Sequence, residues 1–128
     1  MPLNAKSIER LTGVHEALQR VIKRADTGLI QFQVTEGLRT VERQAQLIKE
    51  GKSQLKDPKM GRHCMGLAVD LVVSKGIQIT WEFRDYKALA DVIKQAALAE
   101  NVTIIWGGDW ITFKDGPHFE LPLTYKKS

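Results

Sequence analysis

The chain has 128 residues, 43% of them hydrophobic, which suits a single domain with a buried core and gives no reason to expect a second domain. Its 19 Lys and Arg residues against 15 Asp and Glu residues give a net charge of +4, which favours polyanionic partners, although the charges are scattered rather than clustered. A single cysteine excludes an intrachain disulfide, and the absence of any run of ~18 apolar residues argues against a membrane span.

The first half of the chain shows two helical patterns and one strand pattern. Apolar residues at helical spacing predict a first helix from Ser7 to Ala25. Alternating apolar and polar residues from Ile30 to Thr35 predict a strand with one buried face. Thr40 can cap a second helix that ends at Gly51.

The second half predicts a hairpin, a helix and two more strands. Leu67 to Val73 is apolar except for Asp70, and a turn joins it to a short strand from Ile77 to Thr80. The remaining predicted elements are a helix from Asp85 to Glu100, a strand from Val102 to Trp106, a flexible turn at Gly107-Gly108-Asp109 and a strand from His118 to Leu121. About three helices with strands bunched around them favour an α+β fold with a small antiparallel sheet.

Asp70 is the most informative residue in these patterns. A carboxylate inside a buried strand is costly unless it is paired or bound to a metal. His63 precedes it by seven residues, and Gly66 between them lets the backbone turn so that both side chains converge. His118, from a separate strand, can supply a third ligand. Two histidines and one carboxylate leave a fourth position open to water, which is typical of catalytic rather than structural zinc.

Other side chains near these motifs suggest supporting roles. Asp115 precedes His118 by three residues across a Gly-Pro turn, where it can act as a general base without ligating the metal. Glu120 shares a strand face with His118 and either orients that histidine or is simply exposed. Trp106 and Trp110 either line a substrate groove or anchor the core.

Each of these residues also has a purely structural interpretation. Asp70 can be paired with an arginine such as Arg39, and Asp115 can be an ordinary turn residue. His15 is expected on the polar side of the first helix, without a functional role. Cys64 is expected to be a small buried filler rather than a nucleophile. The combined spacing favours the metal site over these separate interpretations.

The paired motifs resemble a known family, the zinc D-Ala-D-Ala-carboxypeptidase/VanY-type peptidases, and in particular the L-alanyl-D-glutamate peptidases that serve as phage endolysins. The resemblance covers roughly residues 28 to 122. It rests on His63-x-x-Gly66-x-Ala68-x-Asp70, Asp115-x-x-His118-Phe119-Glu120, Glu36-Gly37-Leu38-Arg39-Thr40 with Gln44, and Trp106-Gly107-Gly108-Asp109-Trp110.

The resemblance implies a hedgehog/D,D-peptidase-like fold with the metal site at the sheet. It implies zinc held by His63, Asp70 and His118, with Asp115 as general base and acid. Arg39 would steady the substrate's carbonyl or carboxylate, and Gln44, Glu120, Trp106 and Trp110 are further candidates for substrate binding or for supporting the site. Gly61 stands where the family commonly has serine, so a hydroxyl contact near the site would be missing.

The implied activity is hydrolysis of the L-alanyl-D-glutamate bond in peptidoglycan stem peptides, leading to bacterial lysis. The alternatives are a D-alanyl-D-alanine carboxypeptidase or dipeptidase of the same family, and a non-catalytic zinc-containing module that binds the cell wall. A small basic nucleic-acid binder ranks last because it rests on net charge alone, so no nucleic-acid partner is expected.

The N-terminus lacks the apolar segment of a signal peptide, so we expect a soluble monomer made in the host cytoplasm. Such an enzyme would reach the wall only after a holin-like protein permeabilises the membrane. No separate wall-binding domain and no membrane insertion are expected, so the +4 charge would help to hold the protein on its polyanionic target.

Overall fold

A computed structural model describes residues 2–51, 62–112 and 114–125. Within these residues, four helices and five strands form an α+β fold, which confirms the predicted fold class. The helices are α1 (Ala5–Arg10), α2 (Glu16–Ala25), α3 (Val41–Lys49) and α4 (Phe83–Ala99), and the strands are β1 (Phe32–Glu36), β2 (Ala68–Lys75), β3 (Gln78–Thr80), β4 (Ile105–Trp106) and β5 (His118–Glu120). Short 3-10 turns occupy Gly107–Asp109 and Leu123–Tyr125.

The sheet is antiparallel in every strand pair, with the order β1-β2-β5-β4, and β3 pairs with β2 as the predicted hairpin. The central strand β2 sets the register of the candidate site. Asp70 lies opposite Glu36 on one side and opposite His118 on the other. Three polar side chains from three strands are therefore brought together by backbone pairing.

The two faces of β2 have different surroundings. Val69, Leu71 and Val73 are buried in the main hydrophobic core. Because side chains alternate along a strand, Asp70 points to the opposite face. Helices α2 and α4 cover the core side and pack on each other. No helix within the described residues is both long enough and apolar enough to cross a membrane.

The prediction of one continuous helix from Ser7 to Ala25 is wrong. The chain breaks at Gly13, whose φ of +84° is a left-handed conformation that glycine adopts without strain. His15 then caps α2, because its Nδ1 accepts a hydrogen bond from the Ala17 N–H. The break lets the His15 N–H donate to the Gly66 carbonyl at 2.7 Å, which ties this segment to the loop before β2.

Other boundaries differ less from the sequence predictions. Strand β1 begins at Phe32 rather than Ile30, and β4 covers only Ile105–Trp106. The Gly107-Gly108-Asp109 segment was expected to be a flexible turn, but it forms a 3-10 turn in which both glycines are buried. These glycines are therefore required by close packing rather than by flexibility.

A pair of glycine substitutions tests the contact between Gly66 and the break after α1. Gly66 and Gly28 both have positive φ, but a Cβ on Gly66 would lie 2.6 Å from the Gly13 carbonyl oxygen, whereas Gly28 has open space. Both Gly→Ala changes incur a left-handed backbone cost of roughly 1–2 kcal/mol. We expect Gly66→Ala to lower the free energy of unfolding by about 1–3 kcal/mol more than Gly28→Ala, as measured by urea denaturation. Equal losses would show that the backbone contact is unimportant.

Candidate metal centre and active site

Three side chains with metal-binding atoms converge beside the centre of the sheet. His118 Nδ1 lies 3.2 Å from Asp70 Oδ1, and His63 Nε2 lies 3.3 Å from the same oxygen. The potential ligand atoms of these three residues all lie within 4.8 Å of one another. The cluster can therefore hold a metal ion, with two nitrogens and one carboxylate oxygen as donors.

The ring orientation of His63 favours a metal ligand over a structural histidine. Its Nδ1 lies 2.9 Å from the Gly37 carbonyl oxygen, which can only accept, so Nδ1 carries the proton. Its Nε2 is buried and makes no hydrogen bond to any residue that the structure describes, despite its proximity to Asp70. A buried nitrogen lone pair without a donor is costly unless another group binds it. The fixed tautomer presents that lone pair to the cluster, as a metal requires.

His118 is oriented in a comparable way by a carboxylate. Its Nε2 lies 2.7 Å from Glu120 Oε1, so Nε2–H donates and Nδ1 remains directed at Asp70. Glu120 in turn lies 3.2 Å from Arg62 Nε. Sequence reasoning missed Arg62, although its position next to His63 in the first motif was an available signal. Arg62 offsets the charge of the buried Glu120 carboxylate.

Electrostatics couples Asp70 to the two histidines. Burial on its own would raise the pKa of Asp70, but the hydrogen bond from His118 and the nearby imidazoles outweigh it and hold the pKa well below its usual range. For His118, burial lowers the pKa, while hydrogen bonds to Asp70 and Glu120 raise it to about 9. In the metal-free protein at neutral pH, both ring nitrogens of His118 therefore carry a proton and the ring is positively charged. A metal that binds Nδ1 must displace the proton on that nitrogen.

Asp115 is placed by its backbone. Its N–H donates to the Gly107 carbonyl at 3.0 Å, and its own carbonyl accepts from the His118 N–H at 3.1 Å. A Cβ on Gly107 would lie 3.1 Å from the Cβ atoms of both Asp115 and His118, so the missing side chain makes room for the two. Burial and the negative charge of Asp70 raise the pKa of the Asp115 carboxyl above its usual value. A raised pKa suits a carboxylate that accepts a proton near neutral pH.

Arg39 is fixed by a second carboxylate that sequence reasoning did not single out. Glu36 accepts from Arg39 Nε at 2.7 Å and from Nη2 at 2.8 Å, and Gln44 accepts from Nη1. Arg39 Nη2 lies 3.8 Å from Asp70 Oδ2. Burial by itself would raise the pKa of Glu36, but the hydrogen bond and the positive charge of Arg39 outweigh burial. The net effect is a pKa below the usual value, so Glu36 stays ionised. The spacing of three between Glu36 and Arg39 was the available sequence signal.

The two tryptophans have different positions. Trp110 is partly exposed, and its ring centroid lies 5.2 Å from that of His118, so it borders the site. Trp106 is 4% exposed and stacks on Phe119 in the core. Its Nε1–H donates to the Gly116 carbonyl at 2.7 Å, so it contacts the turn that follows Asp115 and does not line an open groove.

Two remaining sequence predictions concern the first motif. Cys64 is partly exposed rather than a buried filler, and its thiol lies 3.5 Å from the Thr40 carbonyl. Burial raises the pKa of the Cys64 thiol, which disfavours the reactive thiolate. Gly61, which stands where the related family commonly has serine, lies outside the described residues.

The raised pKa of His118 can be tested by NMR titration of the histidine rings in metal-free protein. Below pH 6.5 this ring is protonated in both the folded and the unfolded state, and its interactions in the folded state add to the free energy of unfolding. This stabilising contribution is lost as the pH rises through about 9, where the folded state releases the proton. We expect a His118 midpoint near 9 that falls in Glu120→Gln, because one of the hydrogen bonds favouring the charged ring is weakened. Added zinc should abolish the titration. A midpoint near 6.5 in wild type would contradict the assigned contacts.

Comparison with known proteins agrees with this geometry. A family model described as phage L-alanyl-D-glutamate peptidase matches residues 1–121. The L-alanyl-D-glutamate peptidase of Listeria phage A118 is 32% identical over 111 residues, and that of Escherichia phage T5 is 32% identical over 106 residues. The alignment with the Listeria phage protein covers 86% of this chain but only 36% of that protein, so the chain spans about a third of its length. The alignment with the phage T5 protein covers 81% of this chain and 77% of that protein.

A solved structure shows the same fold at higher identity. The L-Ala D-Glu endopeptidase ChiX of Serratia marcescens is similar with a TM-score of 0.86 and 40% sequence identity, covering 94% of this chain and 89% of that one. The resemblance inferred from the paired motifs is thus confirmed over nearly all of the chain. The chain belongs to the phage L-alanyl-D-glutamate peptidase family.

Proposed function

We propose that this chain is a zinc-dependent peptidase that hydrolyses the L-alanyl-D-glutamate bond of peptidoglycan stem peptides and so lyses bacteria. The observation that carries the proposal is the buried Nε2 of His63, which has no hydrogen-bond partner among the described residues and lies close to Asp70 and His118 in a chain of this family. Its relatives from phages and the Serratia enzyme are named for this peptide bond.

His63, Asp70 and His118 would hold the zinc ion. Two imidazole nitrogens and a carboxylate oxygen suit zinc, and a three-residue protein ligand set is typical of catalytic sites. When bound in such a site, zinc lowers the pKa of a water molecule toward ~7 and polarises a carbonyl oxygen. Gly37 and Glu120 keep the two rings in the tautomers that this role needs.

Asp115 would move the proton during hydrolysis. Its partly buried carboxylate accepts a proton from the attacking water and then returns it to the leaving amine. The raised pKa of Asp115 makes the second transfer easier than it would be for an ordinary aspartate. Its backbone bonds to Gly107 and His118 keep the carboxylate near the ligands.

Arg39 would bind and orient the substrate. Three of its five N–H groups are engaged by Glu36 and Gln44, which hold the guanidinium rigid. The remaining donors can meet a carbonyl or carboxylate of the stem peptide, and their charge offsets negative charge that develops during hydrolysis. Gln44, 1% exposed, accepts a hydrogen bond from Arg39 and so supports the guanidinium, while Trp110, beside the His118 ring, would border the bound substrate.

The route to the wall is part of the same proposal. A monomer made in the cytoplasm would act on peptidoglycan after a holin-like partner opens the membrane. The net charge of +4 would help to retain the enzyme on the polyanionic wall.

The proposed reaction predicts zinc-dependent release of new amino groups from purified peptidoglycan. We expect wild-type protein with zinc to be active, chelated protein to be inactive, and added zinc to restore activity. Mass spectrometry of the products should show cleavage between L-alanine and D-glutamate. Release of D-alanine would instead identify a carboxypeptidase, and a zinc-loaded but inactive protein would identify a binding module.

Two substitutions separate proton transfer from metal binding. Asp115→Asn removes the base but no proposed ligand, so we expect full zinc content and a loss of about 10²–10⁴-fold in kcat. His63→Ala removes a ligand, so zinc content and activity should fall together. Metal analysis measures the zinc content of each variant, and circular dichroism checks that each is folded. Each variant serves as the control for the other. Substantial turnover by Asp115→Asn, or full zinc content in folded His63→Ala, would contradict the corresponding role.

A further inference from the structure

Strand β1 contains an irregularity beside the metal cluster. Val34 pairs with Leu71, and both side chains are buried in the core. A regular ladder would next pair Thr35 with Asp70, but the register shifts, and Glu36 lies opposite Asp70 instead. A bulge of this kind changes the direction of the side chains that follow it and is often found next to active sites. Here it places two carboxylates at facing positions of neighbouring strands.

Two facing carboxylates repel each other, and Arg39 supplies the compensating charge. Like charges at directly opposed positions of an antiparallel pair destabilise that pair. Glu36 accepts hydrogen bonds from Arg39 Nε at 2.7 Å and from Nη2 at 2.8 Å. The arginine side chain is only 11% exposed, and Gln44 accepts from its Nη1. Gln44 is neutral, so it fixes the position of the guanidinium without offsetting its charge.

The same guanidinium lies close to Asp70 but too far away for a hydrogen bond. Arg39 Nη2 is 3.8 Å from Asp70 Oδ2. A charge-assisted bond between such groups is about 2.7–2.9 Å long, so a shift of about 1 Å would join Arg39 directly to Asp70. The two carboxylates therefore compete for one guanidinium, and Glu36 holds it by two hydrogen bonds.

A direct bond between Arg39 and Asp70 would interfere with metal binding. His118 Nδ1 and His63 Nε2 lie 3.2 Å and 3.3 Å from Asp70 Oδ1, the oxygen that completes the ligand cluster. A guanidinium bonded to Oδ2 would orient the carboxylate toward Arg39 and would offset the negative charge that the carboxylate offers to a cation. The same shift would bring a positive charge nearer to the metal, which repels it.

We propose that Glu36 is a positioning residue that holds Arg39 away from Asp70, so that Asp70 stays available to the metal and Arg39 stays available to the substrate. This inference rests on the metal site of the proposed function, formed by His63, Asp70 and His118. The effect of Glu36 on the metal passes through Arg39. This dependence distinguishes a positioning residue from a residue that only stabilises β1.

The zinc affinity of four proteins tests this dependence on Arg39. The zinc dissociation constant is measured by competition with a chromophoric chelator for wild type, Glu36→Gln, Arg39→Met and the double variant that combines both changes. We expect Glu36→Gln alone to weaken zinc binding by roughly 10- to 100-fold, as is usual when a residue that supports a metal ligand is lost. In the Arg39→Met background, the same change should alter zinc affinity by less than about threefold, because no guanidinium is left to move onto Asp70.

Glu100→Gln is the matched control. Glu100 also accepts hydrogen bonds from arginine side chains, those of Arg20 and Arg24, but it lies at the C-terminal end of α4. Its side chain is 21% exposed, against 28% for Glu36. This substitution should leave the zinc dissociation constant unchanged. Circular dichroism checks that every variant is folded.

Two results would overturn the inference. Unchanged zinc affinity in Glu36→Gln would show that Arg39 stays away from Asp70 without Glu36. Equal weakening by Glu36→Gln in the wild-type and Arg39→Met backgrounds would show that Glu36 acts independently of Arg39, as a distant charge or as a support of the strand.

The zinc measurement needs no substrate, so it separates this inference from the proposed peptidase activity. If the expected pattern of zinc affinities is found but wild type releases no amino groups from peptidoglycan, the proposed function fails and the role of Glu36 stands. If wild type cleaves peptidoglycan with zinc but Glu36→Gln binds zinc as wild type does, the role of Glu36 fails and the proposed function stands. A wild-type protein that binds no zinc overturns both.

Discussion

The site depends on one partly buried carboxylate in the middle of the sheet. Asp70 lies on β2, paired with Glu36 on one side and His118 on the other, and its charge is offset by the protonated ring of His118 and, at longer range, by Arg39. An uncompensated carboxylate at this position would cost several kcal/mol. The need to neutralise Asp70 therefore explains why cationic or metal-binding groups gather around it.

Each group that contacts Asp70 is held by a further partner. His63 is fixed by a backbone carbonyl, His118 by Glu120, and Arg39 by Glu36 and Gln44. Cationic His118 and Arg39 lie next to Asp70, and the carboxylates of Glu120 and Glu36 lie beyond them. The charges of the cluster are therefore largely compensated within it. The orientation of these side chains is thus determined by the folded protein itself, as a preorganised metal site requires.

The sequence predicted the features that depend on local pattern. A lone carboxylate in an apolar run identified Asp70, and the two-residue spacing of a strand put His118 and Glu120 on one face, as they are. The break at Gly13 was missed because it depends on a distant contact between His15 and Gly66. The spacing of three from Arg39 could have indicated Glu36 as a partner of that arginine, but only the register of β1 against β2 brings Glu36 to Asp70. Long-range pairing of this kind leaves no periodic signal in a single sequence.

Backbone hydrogen bonds and packing together position the turn that carries Asp115. The Asp115 backbone is hydrogen-bonded to Gly107 and His118, and the following Gly116 packs against Tyr86 and accepts a hydrogen bond from Trp106. The same two rings support the exposed Trp81 and Phe83 on their outer faces. Because a densely packed core is nearly incompressible, these buried rings give the turn a rigid support. The position of Asp115 therefore depends on two buried aromatic side chains of the core.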